Sequence, residues 1–120
     1  MKKILIVDDS TDILEVLSLL FSLEGYEVKT IDNGLGVPDA IKAFGPDLIL
    51  LDVMLGLLDG RVICSQLKSL PETSQIPVIM ISASHDLNLI SQKDCHADDF
   101  IAKPFEIDDL LEKVSFQLAS

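Results

Sequence analysis

The sequence predicts an α/β fold, a doubly wound parallel sheet covered by helices on both faces in three layers. Short apolar runs alternate five times with segments whose apolar residues recur at helical spacing. Residues 48–51 lack polar alternation, as a strand with both faces covered requires. Turn and stop signals stand between the runs, at Gly25, Asn33-Gly34 and Gly45-Pro46.

The elements follow in chain order. Residues 3–7 are apolar, β-branched at Ile4, Ile6 and Val7, and bounded by Asp8-Asp9, so a buried first strand is expected. Ser10 or Thr11 can cap the next helix, in which Ile13, Leu14, Val16, Leu17, Leu20 and Phe21 share helical spacing until Gly25 stops it. Residues 26–31 alternate as a second strand. A helix over 37–44 puts Pro38 in its first turn, where the missing N–H costs nothing. A third strand over 48–51 is followed by a helix that opens at Asp59-Gly60 and runs to about Leu70. A fourth strand over 77–81, a weaker helix over 86–94, a fifth strand over 100–102 and an amphipathic helix over 106–118 complete the pattern. Asp108-Asp109 fall in the first turn of that last helix, where acids suit the helix dipole. Connections between the parallel strands are expected to be right-handed.

A chain of 120 residues, 48% of them hydrophobic, suits one compact domain over 1–120. The most apolar stretch, 48–58, is broken by Asp52 and Gly56 and is too short to span a bilayer. The N-terminal apolar run stops at Asp8-Asp9, too early for an export signal, so a cytoplasmic location is expected. A net charge of −11 argues against direct contact with nucleic acid or an anionic membrane, because both need a basic surface. Cys64 and Cys95 have no metal-ligand spacing and are expected to be reduced and inert. His85 and His96 lack a paired soft ligand and are expected in surface or loop positions. Gly34-Leu35-Gly36 lacks the third glycine of a dinucleotide loop and reads as a turn.

In an open α/β sheet, ligands bind beyond the carboxyl ends of the strands. Asp8-Asp9 follow the first strand, Asp52 the third, Ser82-Ala83-Ser84 the fourth and Lys103-Pro104-Phe105 the fifth. One edge of the sheet should therefore gather three carboxylates, a hydroxyl and an ammonium. An acid directly after four apolar residues, as Asp52 is, costs free energy unless paired or metal-bound. Oxygen-only ligands favour Mg2+ or Mn2+ over Zn2+. Such a site suits phosphate, with Lys103 and Ser82 able to hold further oxygens. A carboxylate such as Asp52 can itself serve as nucleophile and form an aspartyl phosphate.

The motifs Ile4-Leu5-Ile6-Val7-Asp8-Asp9, Pro46-Asp47-Leu48-Ile49-Leu50-Leu51-Asp52-Val53-Met54, Asp59-Gly60, Pro77-Val78-Ile79-Met80-Ile81-Ser82-Ala83 and Ala97-Asp98-Asp99-Phe100-Ile101-Ala102-Lys103-Pro104-Phe105 stand in a specific order and spacing. In these, the chain resembles the receiver domains of bacterial two-component response regulators from end to end. The resemblance implies a flavodoxin-like fold with strand order 2-1-3-4-5. It implies a phosphorelay switch in which Asp52 accepts the phosphoryl group from a sensor histidine kinase, a phosphotransfer protein or a small donor such as acetyl phosphate. Asp9 matches the acid that binds Mg2+ directly and Asp8 the one that acts through water, with the backbone carbonyl of Met54 completing the protein ligands. Lys103 matches the lysine that pairs with the phosphoryl group. Ser82 matches the switch hydroxyl and Phe100 the aromatic switch residue. The face made by the fourth helix, fifth strand and fifth helix is then expected to control an output domain or partner protein. Such a domain acts only on itself, through phosphorylation and autodephosphorylation, and is not an enzyme in the usual sense.

The chain departs from the family pattern in places. Gly56 stands where proline is usual, four residues after Asp52. His96-Ala97-Asp98-Asp99 replaces a run that usually begins with glycine. The segment from Ser82 to Lys103 is one residue shorter than the norm. Met54 and Ser84 occupy positions that, by resemblance, tune the lifetime of the phosphoryl group. Taken singly, Asp8-Asp9 would be a helix-initiating turn, Ser82 a strand-end serine, Lys103 a surface lysine and Phe100 plain packing. Two rival readings bear on the same residues. A receiver-like domain could bind proteins without phosphorylation, which the full set of acids and Lys103 oppose. A flavin carrier of this topology would need a glycine- and hydroxyl-rich phosphate loop where Asp8-Asp9 stand.

Overall fold

The computed structural model describes residues 1–83 and 95–119. In chain order the elements are β1 (Lys3–Val7), α1 (Thr11–Leu23), β2 (Glu27–Ile31), α2 (Val37–Phe44), β3 (Leu48–Asp52), β4 (Met54–Leu55), β5 (Leu58–Asp59), α3 (Gly60–Ser69), β6 (Val78–Ala83), β7 (Asp99–Lys103) and α4 (Ile107–Ala119). The helix expected over 86–94, together with Ser84 and His85, lies outside the described residues.

Five strands form one parallel sheet in the order β2-β1-β3-β6-β7. Set aside the separate β4-β5 pair, and this is the expected order 2-1-3-4-5. Successive side chains of a strand point to opposite faces, and the core divides accordingly. Leu5, Val7, Ile49, Leu51, Val78 and Met80 pack with Val37 and Ala40 of α2 and Cys64 and Leu67 of α3. Ile4, Ile6, Leu48, Leu50, Ile79 and Ile81 pack with Leu14, Leu17 and Phe21 of α1 and Leu110 and Val114 of α4. Every residue of β3 is buried, which explains the absence of polar alternation in that run. Among the described residues, no helix is long and apolar enough to cross a membrane.

Local chemistry sets the helix ends. Ser10 caps α1 by accepting from the Ile13 N–H, Pro38 sits in the first turn of α2, and Asp59 caps α3 by accepting from the Arg61 N–H. The sequence does not predict the small β4-β5 hairpin, in which Met54 pairs with Asp59 and Leu55 with Leu58. β3 also runs one residue further than expected, so Asp52 is the last residue of the strand rather than the first of a loop.

Candidate functional site

Parallel register carries the carboxyl ends of β1, β3, β6 and β7 to one edge of the sheet. Val7 pairs with Leu51, Asp52 with Ile81, and Ser82 with Ala102. Asp8 and Asp9 leave the end of β1, Asp52 ends β3 and Lys103 ends β7. Oxygens of Asp8, Asp9 and Asp52 all lie within 4.8 Å of one another. The ammonium of Lys103 bridges two of these acids, donating to Asp52 Oδ2 at 2.8 Å and to Asp8 Oδ2 at 3.1 Å. Asp8 and Asp52 are buried, whereas Asp9 is exposed and leaves the cluster open to solvent.

Backbone donors hold each acid. The Ser10 N–H donates to Asp8 Oδ1 at 2.9 Å, the Met54 N–H to Asp52 Oδ1 at 3.1 Å, and the Gly56 N–H to Asp9 Oδ2 at 3.1 Å. Burial pushes the Asp52 carboxyl up to about 6, against the Lys103 hydrogen bond and with help from the charge of Asp8. Burial pulls the Lys103 ammonium down, but its hydrogen bonds and charge pairing with Asp52 and Asp8 outweigh this and leave it above its ordinary value. The Lys103-Pro104 peptide bond is cis.

The other predicted residues take distinct places. Ser82 is buried at the end of β6, and its Oγ has no hydrogen-bond partner among the described residues. Such an orphaned hydroxyl is costly unless something else engages it. Phe100 is half-buried and packs against the α2-α3 side of the core, two residues along β7 from Ala102, the register partner of Ser82. Met54 meets the acids through its N–H, which reaches Asp52. Cys64 and Cys95 are free and buried, with the Cys64 thiol donating to the Cys95 carbonyl at 3.3 Å. Burial pushes the Cys64 thiol up, which disfavours its reactive thiolate. His96 is exposed.

Sequence reasoning missed two supporting residues. Gly60 packs so closely that a Cβ there would run into the Asp52 carbonyl oxygen, and its N–H donates to the Val53 carbonyl at 2.7 Å. Gly56 supplies the donor to Asp9. The one local cue to Gly56 is that glycine precedes a single residue between Met54-Leu55 and Leu58-Asp59, the corner position that a two-residue hairpin gives to glycine.

Residues 4–115 match the response regulator receiver domain family, and the chain belongs to it. It is 35% identical over 115 residues to the DNA-binding dual master transcriptional regulator RpaA of Synechocystis, covering 95% of this chain and 48% of RpaA. The chain spans about half the length of the curated relatives it matches. It is also similar to a solved signal receiver domain of a signal transduction histidine kinase from Syntrophus aciditrophicus, with a TM-score of 0.91, 33% identity, and coverage of 99% of this chain and 91% of that one. The response regulator TrrA of Thermotoga maritima, solved in complex with Mg2+ and BeF, gives a TM-score of 0.85 at 30% identity, over 98% of this chain and 99% of TrrA.

Proposed function

We propose that the chain is the phospho-accepting switch of a two-component phosphorelay, with Asp52 as acceptor. The observation that carries this reading is the convergence of Asp8, Asp9 and Asp52 on one opening, with Lys103 bonded to two of them.

A carboxylate oxygen of Asp52 attacks the phosphorus of a phosphohistidine on a sensor histidine kinase or phosphotransfer protein, or of acetyl phosphate. A new P–O bond forms as the P–N or anhydride P–O bond breaks. The electron pair leaves with the imidazole, which takes up a proton, or with acetate. Lys103 already neutralises the Asp52 carboxylate, and its ammonium can hold a phosphoryl oxygen after transfer. Attack by water later releases phosphate and restores the carboxylate. The domain thus acts on its own side chain.

The donor set fits Mg2+ or Mn2+: the side-chain ligands are all oxygens, clustered and reachable from solvent past Asp9. Asp8, Asp9, Asp52 and the Met54 carbonyl would hold the ion, Asp8 through water. When bound, the cation supplies positive charge that offsets the repulsion between these carboxylates and an incoming phosphoryl group.

Phosphorylation adds about −1.5 to −2 charges and three acceptor oxygens. The Ser82 hydroxyl, without a partner among the described residues, could then donate to a phosphoryl oxygen, and its movement along the β6-β7 pairing would reposition Phe100. The surface around β7, α4 and the preceding segment would change for an output domain or partner protein. With a net charge of −11, this chain is unsuited to touching DNA itself, so any DNA contact would come from another part of the regulator or from a partner. A cytoplasmic site of action fits this role.

The test is incubation with Mg2+ and acetyl phosphate, followed by intact mass measurement of wild type and Asp52→Asn. A gain of one phosphoryl group in wild type, absent from the variant, supports the proposal. No gain in either protein favours a binding domain that keeps the fold without phosphorylation, and an equal gain in both moves the acceptor elsewhere.

A further inference from the structure

The β4-β5 hairpin brings to the site something that its side chains do not. Its two-residue corner is Gly56-Leu57, between the pairs Met54 with Asp59 and Leu55 with Leu58. Gly56 has a φ of 64° and Leu57 does not share a positive φ. A positive φ at the first corner alone is the type II′ turn, which matches strand twist and takes glycine at that corner. A Cβ on Gly56 would meet nothing within 4 Å, so the backbone conformation, not space, selects glycine here. The hairpin pairs leave the corner N–H outside the ladder.

That N–H points into the acid cluster. Backbone N–H groups two residues apart on an extended segment face the same side. Here the Met54 N–H donates to Asp52 and the Gly56 N–H to Asp9, each at 3.1 Å. Asp9 needs this donor more than its neighbours do. Asp8 and Asp52 are buried and share Lys103, whereas Asp9 is exposed and the bond from Gly56 ties it across to the hairpin. An exposed carboxylate without such a tie samples several rotamers, and a cation must pay to order it.

We infer that Gly56 is a positioning residue for the cation site: its backbone N–H, turned outward by the hairpin corner, holds Asp9 in register with Asp8 and Asp52. The inference rests on reading the acid cluster as a divalent-cation site. Proline, usual at this place in the family, has no N–H and a φ fixed near −65°, so it could neither make this bond nor hold this corner.

Calorimetric titration with Mg2+ of wild type, Gly56→Asn and Gly56→Pro tests it. Asparagine keeps the N–H and is, after glycine, the residue that costs least at a positive φ, so it should bind Mg2+ clearly more tightly than the proline variant does. Proline should weaken binding by about 10- to 100-fold, the usual effect of losing a partner that orients a metal ligand. Wild-type affinity in the proline variant overturns the inference, as does an asparagine variant that loses as much as proline. A wild type that binds no Mg2+ refutes the cation reading itself, and this inference with it. Should the proline variant not fold, the amide proton resonance of Gly56 in metal-free protein decides: Asp9→Ala should shift it strongly upfield, and an unchanged resonance overturns the assignment.

Discussion

Asp52→Asn should make the metal-free protein more stable at pH 8. Asp52 is only 4% exposed, and burial with the nearby charge of Asp8 lifts its carboxyl from 3.8 to about 6. Protons therefore bind the folded state more tightly than the unfolded one. The stabilisation from a protonated Asp52 is complete below about pH 4 and is lost as the pH rises through about 6. At about 1.4 kcal/mol per pH unit, the ionised carboxylate costs the fold roughly 3 kcal/mol at pH 8. Asparagine keeps the size and removes the charge, but gives up the charged bond to Lys103. The net gain is expected to be about 1–3 kcal/mol, a rise in Tm of roughly 4–12 °C for a domain of this size. Thermal unfolding of both proteins in a chelator, from pH 4.5 to 8, reads it directly. The advantage should shrink as the pH falls, because the wild type protonates Asp52. Adding Mg2+ should narrow the gap at pH 8 by stabilising the wild type more. A variant less stable than wild type at pH 8, or a gap that ignores pH, would refute the reasoning.

Three further outcomes are expected. Lys103→Met leaves Asp8 and Asp52 without their shared cation, so it should destabilise the metal-free domain by about 1–2 kcal/mol at pH 8 in chemical denaturation, less than a fully buried pair because Lys103 is 29% exposed. It should also slow labelling of Asp52 by acetyl phosphate. Gly60→Ala drives a methyl group into the Asp52 carbonyl and should cost at least about 2 kcal/mol by the same assay, the range for backbone-adjacent overpacking. Cys64 and Cys95 are buried, so a thiol reagent should label neither in the native protein and both in urea; fast native labelling would contradict the packing described.

The sequence carried the sheet and the acids because both depend on patterns that repeat along the chain. β-branched apolar runs name the strands, and whatever follows each run must lie at one edge of a parallel sheet, so Asp8, Asp9, Asp52 and Lys103 could be brought together without coordinates. The limits of α2 were legible because Pro38 and Gly45 bracket it. Tertiary details were not. The β4-β5 hairpin is two residues per strand, too short to show alternation. The donation from Gly56 to Asp9 spans 47 residues and uses a backbone atom, which no side-chain pattern encodes. The same holds for Gly60, whose closeness to Asp52 depends on how α3 leaves the hairpin.

The most direct test of the central claim is a crystal structure of the protein grown with Mg2+ and beryllofluoride, a mimic of the phosphoryl group. The account predicts the fluoride complex on the Asp52 carboxylate, the Lys103 ammonium against one of its fluorines, and the metal ion touching Asp9 and Asp52. An unmodified Asp52, or a cation bound away from all three acids, would contradict it.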